Sequence, residues 1–143
     1  MGFKEAKSQF LSVFRELFVY HHRSLEFRAK LFAAMIASNE KADSCEYDAL
    51  RKIAKEIYGD DEYRVEVMVR TTKEFVNKIV KHHILSLDEL LLDIDKELRL
   101  HKRYIQKVNM AHLKQLKCHI DEDSAIVQDR ILEFFEAEIK SRM

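Results

Sequence analysis

Proline and tryptophan are missing from this sequence, and glycine occurs only twice in 143 residues. β-Rich folds turn often, and their turns draw on glycine and proline. A sandwich or barrel is therefore excluded. Cysteine is as scarce. Cys45 and Cys118 are the only two, far apart and with no Cys-x-x-Cys pair. That pattern predicts two reduced thiols in a cytoplasmic protein rather than a disulfide framework. Net charge is absent too, because 25 Lys and Arg balance 25 Asp and Glu. With 47% hydrophobic residues, the chain also lacks the composition of a disordered segment. No apolar run approaches the roughly 20 residues that span a bilayer. Lys4, Glu5, Lys7, Arg15 and Glu16 break up the first twenty residues, so no signal peptide is expected. What remains is one all-α domain of six to seven helices, read from apolar spacing.

The spacing places those helices. Phe3, Ala6, Phe10, Val13, Phe14, Leu17 and Phe18 form an amphipathic stripe over 1–22, a helix expected at the periphery. Residues 24–38 are apolar on most sides, and such a helix sits inside others. LFAAMIA, 31–37, is therefore the predicted centre, with Phe32 and Ile36 almost fully buried. Asp43 or Ser44 can cap a third helix, and Gly59 can stop it with positive φ. Asp60, Asp61 and Glu62 suit the start of a fourth, where partial positive charge collects. Ser86 and Glu89 have capping-box spacing for a fifth. Nothing marks a break from Ser86 to Lys117, but so long a helix is unusual in a small domain, so a kink is expected near Arg99–Lys102. Asp121, Glu122 and Asp123 announce the last helix, with Val127, Ile131, Phe134, Phe135 and Ile139 as its inner stripe. Two acidic turns, each leading from an apolar helix into an amphipathic one, suggest two pseudo-repeated halves.

Little in the sequence points to catalysis. There is no Gly-x-Ser-x-Gly elbow, and glycines at 2 and 59 cannot build a phosphate loop. Seven histidines invite a metal reading: His21, His22, His82, His83, His101, His112 and His119, with Glu26, Asp93 and Glu97 as carboxylate partners. None has a Glu three residues before it, as helical di-iron sites need, and His-Glu-x-x-His is absent. No cofactor is expected. The weaker metal candidates are the acidic turns, with Glu40, Asp43 and Glu46 at one and Asp121, Glu122 and Asp123 at the other.

Charge is uneven along the chain. Residues 43–66 carry eight acids against four bases, and residues 96–117 carry seven bases against one acid. On a continuous helical wheel the bases other than Lys102 lie opposite Leu98, Ile105, Val108 and Leu116. Arg99, Arg103, Lys107 and Lys114 are thus the candidate partner-binding residues, predicted to be mostly exposed. An overall pI near 7.1 and the lack of an interleaved aromatic row speak against nucleic acid.

The stretch LFAAMIASNEKADSCEYDALRKIAKEIYG, residues 31–59, resembles the TerB-like, tellurite-resistance-type family. Ala37 and Glu46 fit that family's pattern of an apolar helix, a turn, and a Glu opening an amphipathic helix. Ser38 and Asn39 stand where the family has Asp-Gly, and Asn39 is expected to take the left-handed conformation in glycine's place. The resemblance implies a compact helical bundle without catalytic residues, an acidic surface for metal ions, and an accessory role in stress or envelope complexes. The function expected is a non-enzymatic helical interaction module with a protein partner. The alternative is a metal-binding or metal-sensing protein that uses the acidic turns or the histidines. No transmembrane segment is expected, and peripheral membrane contact is left open.

Overall fold

The computed structural model describes residues 23–39, 44–118 and 121–142. The helix expected over 1–22 lies outside the described residues, as do Glu40, Asp43, His21, His22 and His119. Among the described residues the secondary structure is entirely helical. The order is α1 (Arg23–Ala37), α2 (Ser44–Tyr58), α3 (Glu62–Val80), α4 (Leu87–Leu100), a 3-10 helix (Lys102–Lys107), α5 (Met110–Gln115) and α6 (Glu122–Arg142). The all-α bundle is as expected.

α1 is the centre of the bundle. Ala29, Ala33, Ala34 and Ala37 leave little side chain between its backbone and its neighbours, while Phe27, Leu31, Phe32, Met35 and Ile36 fill the space around it. Phe32 is 3% exposed and Ile36 is 0% exposed, as their spacing predicts. The helix packs on α3, α4, the 3-10 helix, α5 and α6. Val65, Met68 and Val76 come from α3, and Leu90, Ile94 and Leu98 from α4.

The helix ends follow local chemistry. Gly59 has φ +61°, which a residue without Cβ adopts freely. Asp61 caps α3 by accepting the Arg64 N–H at 3.1 Å. Ser86 and Glu89 form a full capping box on α4. Asn39 departs from expectation. Positive φ among the described non-glycine residues occurs at His83, not at Asn39. Asn39 holds its turn differently: its Nδ2 donates to Glu46 Oε1 at 2.9 Å, with both side chains buried. The side chain does the work that backbone freedom would do in glycine.

The expected kink is a full break. α4 stops at Leu100, and His101 leads into the 3-10 helix. The break turns Tyr104 inward, where it is 2% exposed with its ring 4.9 Å from that of Phe27. On a continuous wheel Tyr104 would lie at the edge of the Leu98–Val108–Leu116 stripe, about 40° beyond Val108 at roughly 100° per residue, and the break places it fully inside. Ile105 loses its place on that stripe and is half-buried.

α6 sits rotated from its predicted orientation. Val127, expected inside, is 36% exposed, and its neighbour Gln128 is buried in its place with Ile131, Leu132 and Phe135. The Gln128 Nε2 has no hydrogen-bond partner among the described residues.

Candidate functional site

The wheel that grouped Arg99, Arg103, Lys107 and Lys114 assumed one helix, and the break at His101 removes that basis. The structure distributes the four over α4, the 3-10 helix and α5. Arg99, Arg103 and Lys114 are exposed, and Lys107 is half-buried. Arg99 is ion-paired to Asp95, whose other oxygen faces Arg142 at 3.3 Å. Lys114 stands apart on α5.

Arg103 and Lys107 remain together on the 3-10 helix and gain a third cation. Phe27 stacks on Tyr104, and their sequence neighbours Arg28 and Arg103 both act electrostatically on Lys107. The Arg28 guanidinium lies 5.8 Å from the Tyr58 ring centroid and its Nη1 is 3.5 Å from the Tyr58 hydroxyl. The Arg103 guanidinium lies 6.0 Å from the Tyr104 centroid. Lys107 feels both arginines. Burial first, then the charges of Arg28 and Arg103, hold its pKa below the ordinary lysine value. No carboxylate among the described residues pairs with Arg28, Arg103 or Lys107. Glu56, on the neighbouring α2, is 3.0 Å from His112 Nε2 instead. The charge of Glu26 acts on Glu97, whose carboxyl it helps to raise. The result is a cationic ridge without internal compensation.

The acidic turns behave differently. Glu46 is 1% exposed and bonded to Asn39. Burial, then the Glu46 charge, pushes the neighbouring Tyr47 phenol up to about 12. Asp121 Oδ1 accepts the Ser124 N–H at 3.1 Å, the bond of a helix cap. Glu122 and Asp123 are exposed at the start of α6. Among the described residues no three His, Cys, Asp or Glu side chains are arranged to hold a metal ion.

Two features carried no readable signal in the sequence. The first corrects the expectation of free thiols: Cys45 and Cys118 form a disulfide across 73 residues, with Cα atoms 6.2 Å apart. Together with Glu56–His112, it fastens α2 to the α5 segment at two points, joining the first turn of α2 to the stretch that follows α5. Chain spacing could not show this, because it depends on which helix ends meet. The expectation of a cytoplasmic location loses the support it drew from reduced thiols.

The second is a charged cluster against the central helix. Lys30, 9% exposed, places its Nζ 2.6 Å from Asp93 Oδ2 and 2.9 Å from Glu97 Oε2. The same Nζ lies 5.9 Å from the Phe75 ring centroid. Burial alone would lower the Lys30 pKa, but the bonds to Asp93 and Glu97 outweigh it and the net direction is upward. Burial raises the Glu97 carboxyl, which Lys30 only partly offsets. Asp93 and Glu97 were weighed as partners for histidine, and the structure gives them to lysine. A raised lysine pKa stabilises the fold below the unfolded value near 10.5, and that contribution is lost as pH rises through the folded value. Lys30→Met should therefore melt below the wild type at pH 7. A cost of about 1–3 kcal/mol is expected, because Asp93 is half open to water and a fully buried pair would cost more. The gap should narrow above pH 10.5, and melting curves of both proteins from pH 7 to 12 check it.

Among the described residues no helix is long and apolar enough to cross a membrane. No family model matches the chain, and no curated protein or solved structure is found to be similar to it.

Proposed function

We propose that this chain is a non-enzymatic helical interaction module of TerB-like type, and that it docks an acidic protein partner on the ridge of Arg28, Arg103 and Lys107. The supporting observation is Lys107, half-buried beside two arginines with no carboxylate facing it among the described residues. Like charges held together weaken a fold unless something opposes them. A negatively charged partner would supply that opposition. The TerB-like relationship rests on the residue pattern from Leu31 to Gly59. The Asn39–Glu46 bond supports it only in showing how a turn lacking Asp-Gly can be held.

The test is a double charge reversal, Arg103→Glu with Lys107→Glu. Arg103 is exposed and the half-buried Lys107 ammonium is disfavoured where it sits, so the melting temperature should hold. Proteins captured by the wild type from the native host extract should be lost by the variant. They should also be lost as salt rises, because exposed charges are screened over about 8 Å at physiological ionic strength. Capture indifferent both to the reversal and to about 0.5 M salt would move the interface to the acidic 40–62 edge.

A further inference from the structure

α2 is held along two edges of different kinds. On one it packs against α3, with Arg51 ion-paired to Glu66 and the Lys73 ammonium 4.9 Å from the Tyr47 ring centroid. On the other, two side-chain ties reach the α5 segment: the Cys45–Cys118 bridge at the first turn and Glu56–His112 near the last. Glu56 is exposed, so its ion pair is screened by water and salt and holds weakly. The bridge is the firmer of the two ties. It also stands at the surface, with Cys45 exposed and Cys118 half-buried. We infer that the Cys45–Cys118 bridge is a redox-controlled clasp: exchange with a dithiol reductant opens it and frees the α5-side edge of α2.

Bridges at a surface are the labile ones, because an attacking thiolate needs a path to a sulfur. One thiolate of the dithiol attacks a bridge sulfur, the S–S bond breaks, and the other cysteine leaves as a thiolate that takes up a proton. The second thiol of the reductant gives up its proton and displaces the first cysteine from the mixed disulfide. Two electrons and two protons have then passed to the bridge. Cys45 and Cys118 are left as thiols and the reductant as a disulfide. The reverse exchange with an oxidised dithiol restores the bridge. With the bridge open, only the weaker of the two ties remains on that edge. α2 can then swing about its contact with α3 and uncover Leu50, Ile53 and Ala54, each 0% exposed in the bridged protein. Local opening of this kind starts at the element held least firmly. α1, packed on by five elements, has no such edge.

Thiol trapping and amide hydrogen exchange on the full chain test this, with dithiothreitol as the dithiol. Native protein should be reduced within about a hundredfold of the rate in the urea-unfolded chain, because no global opening is needed. Exchange is read as a ratio, the protection of Leu50, Ile53 and Ala54 on α2 against that of Ile36 on α1. Reduction weakens the whole fold, but it should weaken α2 more and lower that ratio by about tenfold. Cys45→Ser combined with Cys118→Ser should give the lowered ratio without any reductant. Glu56→Gln should leave the ratio of the bridged protein within about twofold, since the bridge still holds the edge. A native reduction rate about 10³-fold or more below the unfolded one would overturn the clasp, because the bridge would be reached only through global unfolding. Ready reduction with an unchanged ratio would also overturn it, showing that the two helices lose protection in step. So would a ratio lowered as far by Glu56→Gln as by reduction, which would make the ion pair the fastening.

Discussion

Phe32→Ala should cost about 3–5 kcal/mol of stability, which for a domain of this size lowers the melting temperature by roughly 10 °C. Phe32 is 3% exposed, on a helix that other elements surround. Its ring cannot be replaced by collapse of a loop or by entry of water from one open side. Removing it takes away buried apolar surface and leaves a cavity lined by well-packed neighbours, and both losses add. Ile84 is the matched control. It is 69% exposed, so Ile84→Ala should change stability by less than about 0.5 kcal/mol. Thermal melting of both variants decides the matter. A Phe32→Ala protein that melts within a degree or two of the wild type would mean that α1 is not the centre of the bundle.

Reduction of the Cys45–Cys118 bridge should have a comparable effect. A crosslink that closes a loop of this length restricts the unfolded chain, and such bridges typically contribute about 2–4 kcal/mol. The bridge joins elements 73 residues apart, so little of its constraint is duplicated by nearby sequence contacts. Melting with and without a reductant should differ by about 5–10 °C. Cys45→Ser should reproduce the reduced value and should no longer respond to reductant. Mass spectrometry of the purified protein under denaturing, non-reducing conditions gives the companion result, a mass two hydrogen atoms lighter than the free-thiol form. Two alkylatable thiols in protein kept under air would contradict the bridge.

What could be read from the sequence was local. Asp61 and the Ser86–Glu89 box cap their helices because the groups involved are three residues apart, and Gly59 stops α2 because the left-handed turn is a property of one residue. The burial of α1 was legible because apolar residues cover most of its circumference. The features that sequence reasoning missed all depend on contacts between distant segments. Lys30 has its partners, Asp93 and Glu97, on α4, more than sixty residues away in the chain. The exchange of Val127 for Gln128 is a rotation of α6 set by where it meets α1, the 3-10 helix and α5. The basic residues were identified correctly as mostly exposed, but for a reason that failed. The wheel required a continuous helix, whereas the cluster arises because the chain breaks at His101 and Tyr104 turns in against Phe27. Arg28 was invisible to that reasoning, since it lies on a different helix. A basic residue next to a buried aromatic on the central helix was the signal that could have found it.

The central claim is that the ridge of Arg28, Arg103 and Lys107 exists to meet an anion and contributes nothing to the fold by itself. The melting temperature of Lys107→Gln in the isolated protein tests it most directly. Lys107 is half-buried, and burial and the two arginines lower its pKa, so its charge opposes folding at neutral pH and ceases to do so only as it deprotonates. Neutralising it should leave the protein as stable as the wild type or more so at low ionic strength, with the difference closing as salt screens the arginines. A fall of several degrees in Lys107→Gln would contradict the account, because it would show that Lys107 is held by a structural partner and that the ridge is part of the scaffold.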